Sequence, residues 1–294
     1  MPAPIRLEYR AKPSALRFVS NLARPSPGFA DDGQLPDIQA HWPGHRASRR
    51  EIADFFELSG LPDRGHASIL YPHTVSFPML MAVLSHPAFP LPIWRVLQVR
   101  NRMIQHEPIA PDAVFDFTVR TGERRLLEKG VEMDLRVEAR KEGRVVWEAV
   151  NTFYARGRFG EARAEPAASP GVGGAPATEW RMPAHGRWRY GQLSGDFNPL
   201  HMSDWYARRA GYAGAFTHPQ RAIGQCLGHL DAAHHAPMQL DTWIKGPVFY
   251  DAKVSLRSES RPAGSVFALH VDDDARPAIV GRFVIPNGNK DTLK

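Results

Sequence analysis

The chain has 294 residues, 43% hydrophobic and 23% charged, with seven Trp and fifteen Phe; that is about two domains of ordinary globular protein, and it excludes a chain disordered throughout. A net charge of +6 raises nucleic-acid binding, but the cations are dispersed as Arg49-Arg50, Arg124-Arg125, Arg208-Arg209 and Arg257 without a helix-turn-helix, zinc-finger or RNA-binding signature, and a smaller polyanion such as a phosphorylated coenzyme suits the surplus equally. The single cysteine, Cys226, excludes an internal disulfide and reads as a small buried residue among Ala222, Ile223, Leu227 and Leu230, which fits a reducing, cytoplasmic setting.

The opening Met-Pro-Ala-Pro-Ile-Arg lacks the apolar core of a signal peptide, and no run reaches the ~20 apolar residues of a membrane span, so no membrane partner is expected. The first predicted helix covers 74–85, with Phe77, Leu80, Met81 and Leu84 at helical spacing. Strands are predicted over 96–104, 114–120, 131–140 and 145–154, the last two joined by a short hairpin at Lys141-Glu142-Gly143. Residues 157–178, rich in Gly, Pro and Ala and poor in large apolar side chains, read as a linker between units 1–156 and 179–294.

Beyond it the order recurs. A short helix is expected over 203–211, with Ser203 as cap and Gly211 as stop, then a helix over 219–232 and strands over 238–245, 252–258, 266–271 and 278–285. Pro108-Ile109-Ala110-Pro111-Asp112-Ala113-Val114 is echoed by Pro247-Val248-Phe249-Tyr250-Asp251-Ala252-Lys253-Val254, between the first and second strands of each half. The pattern is two copies of one unit, each an apolar helix with an uninterrupted run of antiparallel strands. Such a run has no parallel crossovers, so the class is α+β rather than doubly wound α/β. Two such sheets, each curled about its helix, can pair edge to edge or helix to helix and leave a slot for an elongated ligand.

The residues that carry chemistry lie in Ser194-Gly195-Asp196-Phe197-Asn198-Pro199-Leu200-His201. Gly195, Asn198 and Pro199 favour tight turns, and there Asp196, Asn198 and His201 can share a cavity in which a carboxylate and an imidazole handle one proton. Alone, an Asp and a His five apart read as an Asx turn with a stray histidine. The downstream residues argue otherwise: a short helix, then His218 at the opening of the apolar helix.

Tyr190-Gly191-Gln192-Leu193 together with that octapeptide, then Ala207, Gly211 and the His218 helix start, resembles the hydratase motif of the MaoC-like, (R)-specific enoyl-thioester hydratases. The resemblance implies a double hot-dog fold in which only the C-terminal unit carries the motif. It further implies Asp196 and His201 as the catalytic pair, with Asn198 positioning them or the thioester. The activity implied is reversible addition of water to a trans-2-enoyl thioester of coenzyme A (CoA) or acyl-carrier protein, giving the (R)-3-hydroxyacyl thioester, as in fatty-acid metabolism. On this reading Ser194, Gly195, His218, Pro219 and Gln220 contact substrate or shape its site, and Arg208, Arg209 and Lys245 are candidates for coenzyme phosphates.

One position departs from the family. The residue after the helix-opening histidine is usually Gly, whose N–H serves the thioester oxygen; here it is Pro219, which has none. The N–H groups of Gln220 and Arg221, the helix dipole, or the side chains of Gln220 or Asn198 are the available substitutes. Pro219 leaves two alternatives open: a catalytically weak thioester-binding or regulatory protein, and a thioesterase. Tyr190 is read as supporting its loop. His218 is read chiefly as a cap or packing residue. His73 is expected to precede its helix as His218 does, with a structural role, and Phe77, Met81 and Leu84 are candidates for lining an acyl slot. His66, His73, His86 and His106 lack zinc-site spacing, and no phosphate-cradling loop or dinucleotide fingerprint occurs. Hence no metal and no cofactor is expected beyond the phosphopantetheine that the substrate carries. A homodimer of such chains stays open, since two fused units already form a pair.

Overall fold

A computed structural model describes residues 3–14, 25–30, 34–230 and 236–285. The amino-terminal half runs β1 (Ile5–Glu8), β2 (Ile38–Arg46), α1 (Arg49–Ser59), α2 (Tyr71–Leu84), β3 (Leu97–Gln105), β4 (Val114–Leu127), β5 (Gly130–Lys141) and β6 (Arg144–Arg156). The other half runs β7 (Thr178–Arg181), α3 (Arg187–Ser194), α4 (Pro199–Met202), α5 (Asp204–Arg209), α6 (Pro219–Gly228), β8 (Met238–Ile244), β9 (Lys253–Arg261), β10 (Gly264–Val271) and β11 (Ile279–Val284).

These strands form one sheet in the order β1-β2-β4-β5-β6-β3-β8-β11-β10-β9-β7. Apart from the parallel β1–β2 pair, neighbours are antiparallel. From β2 to β7 the order is a palindrome about β3 and β8, which pair edge to edge with Met103 opposite Leu240. The fold is therefore α+β and double hot-dog: two helix-plus-sheet units joined through the edge strands β3 and β8.

The repeated wording has a repeated geometry. Asp112 and Asp251 both adopt left-handed backbone, φ 67° and 59°. The Asp112 N–H donates to the Ala47 carbonyl at 2.7 Å and that of Asp251 to the Met182 carbonyl at 2.9 Å. Asp tolerates this conformation better than β-branched or bulky residues, so both corners keep it.

Helix α2 is apolar on every side, with only Phe77 and Met81 of its fourteen residues less than fully buried. A helix without a polar face must be surrounded, and β2, β4 and β5 wrap it. One continuous apolar core links both halves, including Phe117, Trp147, Phe267 and Phe283; each such side chain contributes ~1.5–3 kcal/mol on burial. Cys226 is fully buried in it, and burial pushes its thiol pKa up, so this is a packing residue.

The structure differs from expectation at several elements. Helix α2 starts at Tyr71 because Pro72 presets helical φ at its amino end. His73 therefore lies within the first turn rather than before it. Strand β4 runs on to Leu127, past residue 120, through a register shift between Thr121 and Arg124 that breaks its alternation. Helix α6 ends at Gly228, short of 232; residues 231 and 232 lie outside the described residues. Strands β1, β2 and β7 and helices α1, α3 and α4 are additions to the expected elements. Residues 157–177 contain no helix or strand, yet they are tied down: the Ala167 carbonyl accepts from Trp243 Nε1 at 2.9 Å and Ser169 Oγ from Lys245 Nζ at 2.6 Å.

Candidate active site

The octapeptide is a helix end, a four-residue loop and a helix start. Ser194 closes α3, and Gly195 turns the chain out with φ +72°. Asn198 then caps α4 by accepting the Leu200 N–H at 3.1 Å, and Pro199 occupies the first helical position. Ser194 Oγ donates to the Tyr190 carbonyl at 2.8 Å and accepts from the Asp196 N–H at 3.2 Å, fixing the loop from within.

The amino-terminal half holds the loop from outside. An added Cβ at Gly195 would overlap Pro78 Cγ of α2. Lys12 donates from Nζ to the carbonyls of Gln192, at 3.1 Å, and Leu193, the last turn of α3, where a cation suits the negative end of the helix. Burial lowers the Lys12 pKa to about 8, against a smaller upward pull from Glu51. Tyr190 is buried, and its hydroxyl meets Thr74 Oγ1 of α2 at 3.3 Å.

Three ionisable side chains converge. Asp196 Oδ2 lies 3.8 Å from His201 Nε2 and 3.8 Å from His218 Nε2, while Oδ1 accepts the Asn198 N–H at 3.0 Å. The two imidazoles lie 4.1 Å apart between centroids, and the Tyr190 ring packs against His218 at 4.8 Å. Hydrogen-bond partners fix the tautomers. His201 Nδ1 sits 2.9 Å from the Phe216 carbonyl, which can only accept, so Nδ1 carries the proton and neutral His201 presents a bare Nε2. His218 Nε2 sits 3.0 Å from the Asp196 carbonyl and by the same rule is the protonated nitrogen. Burial, and then the neighbouring His201, hold the His218 pKa well below 6.5. It stays neutral.

Thus Asp196 and His201 meet as the motif suggests, but the third member is His218 and not Asn198. Asn198 is exposed and acts on the pair by capping the helix that carries His201. His218 occupies the cap position of α6 without a side-chain cap bond, because its ring is turned to the Asp196 loop. The residues around His218 do not disclose this role, because its convergence with Asp196 depends on how α6 docks. Among the described residues, these three also form a group whose ligating atoms lie within 4.8 Å of one another. The proton on His218 Nε2 and its carbonyl partner leave that nitrogen engaged, so the arrangement suits acid–base work better than ligation.

Pro219 takes the first position of α6. The N–H groups of Arg221 and Ala222 both turn back to the His218 carbonyl, at 3.0 and 3.2 Å. The Gln220 side chain points into the amino-terminal half, its Nε2 3.3 Å from Gln98 Oε1 and 3.4 Å from His73 Nε2. Of the backbone N–H groups at the start of α6, that leaves the one of Gln220, at the second helical position, where no intrahelical acceptor exists.

Arg208 and Arg209 stand exposed on α5, after the Ser203 cap, which accepts the Tyr206 N–H at 3.3 Å. That helix ends at Arg209, with Ala210 as its cap and Gly211 following at φ +90°. Lys245 lies just beyond the carboxy-terminal end of β8 and donates to Ser169. His73 is buried within the Gln98–Gln220 cluster, and burial, offset in part by Asn151, lowers its pKa to about 4. Leu84 belongs to the core, while Phe77 and Met81 are half-buried. A separate apolar hollow of ≈ 470 Å³ beyond α2, lined by residues including Phe29, Leu91, Trp94 and Phe159, involves none of these groups. Among the described residues no helix is long and apolar enough to cross a membrane.

No protein-family model matches the chain. By sequence it is 24% identical over 208 residues to 3-hydroxyacyl-thioester dehydratase X of Mycobacterium tuberculosis, covering 70% of this chain and 74% of that protein. Its fold matches the crystal structure of HtdX from Mycobacterium tuberculosis with a TM-score of 0.70 at 21% identity, over 83% of this chain and 98% of that one. It also matches a MaoC-like dehydratase from Phytophthora capsici with a TM-score of 0.74 at 17% identity, over 88% and 99% of the two chains.

Proposed function

We propose that this double hot-dog chain, a relative of 3-hydroxyacyl-thioester dehydratase X, is a hydro-lyase that adds water to trans-2-enoyl thioesters or removes it from (R)-3-hydroxyacyl thioesters. The observation that carries the reading is the bare Nε2 of His201 facing the Asp196 carboxylate at 3.8 Å in a largely buried site.

In hydration, a water held between Asp196 Oδ2 and His201 Nε2 gives one proton to the pair as its oxygen bonds to C3. The C2–C3 π pair moves toward the thioester carbonyl, forming an enolate. C2 then takes a proton back from the pair, so that one water has been added and the pair is unchanged. His218 stays neutral, orients the Asp196 backbone, and keeps a second positive charge away from His201. The enolate oxygen needs a preorganised donor. With Pro219 in place, the Gln220 N–H and the positive end of α6 supply it. Thioester recognition therefore rests on Ser194, Gly195, His218, Pro219 and Gln220 for the site, with Asp196 and His201 as the reacting groups. We read 1–156 as the unit that buttresses the loop, 157–178 as the strap between units, and 179–294 as the catalytic unit.

The test is crotonyl-CoA and longer enoyl-CoAs, followed by loss of the conjugated-thioester absorbance. Turnover is expected, with Asp196→Asn and His201→Ala each losing at least ~10²-fold in kcat. Wild-type rates in either variant, or no turnover of any enoyl thioester, overturn the reading.

A further inference from the structure

Around the motif the chain spends surface on aromatic side chains. Trp188, Phe197, Trp205 and Tyr206 are all exposed, Trp205 to 69%. Trp188 and Phe197 touch, with ring centroids 6.3 Å apart, while Trp205 and Tyr206 stand on α5, which begins just past His201 and Met202. Trp205 carries a cation on its face: the Arg209 guanidinium carbon lies 5.4 Å from the ring centroid.

The cations of this surface divide into two kinds. Arg189 is held by Asp54 and Glu57, and Arg187 lies over the Tyr250 ring while donating to the Ala184 and Met202 carbonyls. Arg208 and Arg209 have no carboxylate partner within ion-pair distance among the described residues. Asp204, one turn before Arg208, is engaged by the Ala215 N–H at 2.8 Å. Arg208 rests on the Ala213 carbonyl through Nε alone, at 3.2 Å.

A flat exposed ring beside two guanidinium groups free of carboxylates matches a purine nucleotide: the base stacks on the ring, and the planar forks pair with phosphate oxygens. An acidic protein surface would call on more cations, and Arg187 and Arg189 are already engaged. We propose that α5 is the docking site for the nucleotide end of the thioester's carrier, with adenine on Trp205 and the phosphates on Arg208 and Arg209, so that this chain takes its acyl groups from coenzyme A. The proposal rests on the reading of the neighbouring site as a thioester hydratase. Geometry allows it: Trp205 follows His201 by four residues, so their Cα atoms lie at most ~15 Å apart, a gap for the pantetheine arm to bridge. Phe197, exposed in the catalytic loop itself and in contact with Trp188, offers a second aromatic surface beside the motif.

The test compares Trp205→Ala and the double variant Arg208→Gln/Arg209→Gln with the parent, all verified as folded by circular dichroism. Calorimetry with free coenzyme A gives binding independently of catalysis. Kinetics with crotonyl-CoA, crotonyl-N-acetylcysteamine, which has no nucleotide, and crotonyl-carrier protein give carrier preference. The expected result is a 5- to 150-fold weaker Kd for coenzyme A in Trp205→Ala, the range of ~1–3 kcal/mol that one base–aromatic stack contributes, and a weaker Kd in the double arginine variant that salt affects less than in the parent. The kcat/KM ratio of the coenzyme A thioester to the N-acetylcysteamine thioester should fall by a similar factor. Unchanged coenzyme A affinity in both variants overturns the proposal. So does parental preference for the carrier protein that the variants abolish, and so does a parent that elutes as a dimer on gel filtration while the variants elute as monomers with coenzyme A affinity intact, which would assign the surface to a second copy. Weakened coenzyme A binding in the variants, without hydration by any form of the protein, leaves the docking site standing and removes the hydratase reading.

Discussion

Gly195→Ala couples the fold to the chemistry more directly than any change at the reacting groups. At φ +72°, a Cβ crowds its own carbonyl, a cost of ~1–2 kcal/mol for a residue other than Gly. The new Cβ also overlaps Pro78 Cγ of α2 and comes 3.5 Å from Lys12 Cε. A pyrrolidine ring has no rotamer to yield, so overpacking adds ~1–3 kcal/mol. The destabilisation expected is about 2–5 kcal/mol, read by urea unfolding followed in the far ultraviolet. If the loop instead shifts to relieve the overlap, Asp196 moves relative to His201, and a displacement of order 1 Å costs ~10²-fold in kcat. The double variant Gly195→Ala/Pro78→Ala, compared with both single variants, isolates the overlap. Truncating the ring should recover ~1–3 kcal/mol of coupling while the backbone cost remains. A single variant that unfolds within about 0.5 kcal/mol of the parent and turns over normally, or a coupling near zero, refutes the reasoning.

The same geometry sets other outcomes. Restoring the missing N–H with Pro219→Gly should raise kcat on crotonyl-CoA by ~10–10³-fold if the thioester oxygen lies over the start of α6; an unchanged or lower kcat places that oxygen elsewhere. Burial lowers the Lys12 pKa from 10.5 to about 8, so between those pH values the unfolded chain binds a proton that the folded one has released. Lys12 therefore makes stability rise with pH through that window, and chemical denaturation of Lys12→Met across it should show the rise flattened. His73 and His218 act at the acid end. With His73 lowered from 6.5 to about 4 and His218 lowered as well, the unfolded chain takes up protons that the folded one refuses, and stability is lost as pH falls below 6.5. His73→Gln should unfold less steeply than the parent between pH 6.5 and 4; an identical acid limb contradicts the burial of that neutral imidazole.

What the sequence discloses depends on how local its causes are. The alternating strands β3 to β6 and β8 to β11 and the repeated Asp112 and Asp251 corners are fixed by neighbouring residues, and apart from the carboxy-terminal extension of β4 each lies within a few positions of expectation. Strand β2 is interrupted by Pro43-Gly44, and its register shifts between Trp42 and His45, so its alternation is hidden. Helix α1 did carry a readable signal, the Ser-x-x-Glu of a capping box: Ser48 Oγ accepts the Glu51 N–H at 3.1 Å and donates to its carboxylate at 3.3 Å. At the site, the turn chemistry of Gly195, Asn198 and Pro199 is local and therefore legible. The contributions of His218, Lys12 and Pro78 are not, because each reaches the loop from an element distant in sequence. Gln220 shows the same limit in reverse: next to Pro219 in sequence, its amide is drawn away from the site by Gln98 and His73.

The central claim is that Asp196 and His201 move a proton from water while its oxygen adds to C3. It is tested most directly by isotopes in the product. With an enoyl-CoA substrate in ¹⁸O-water, the account predicts an (R)-3-hydroxyacyl-CoA labelled at the C3 oxygen; in D2O it predicts one deuterium at C2, on the face that received the oxygen. Both labels should disappear together in His201→Ala. Free coenzyme A released with ¹⁸O in a carboxylate, and an intact double bond in the acid, would contradict it and identify a thioesterase.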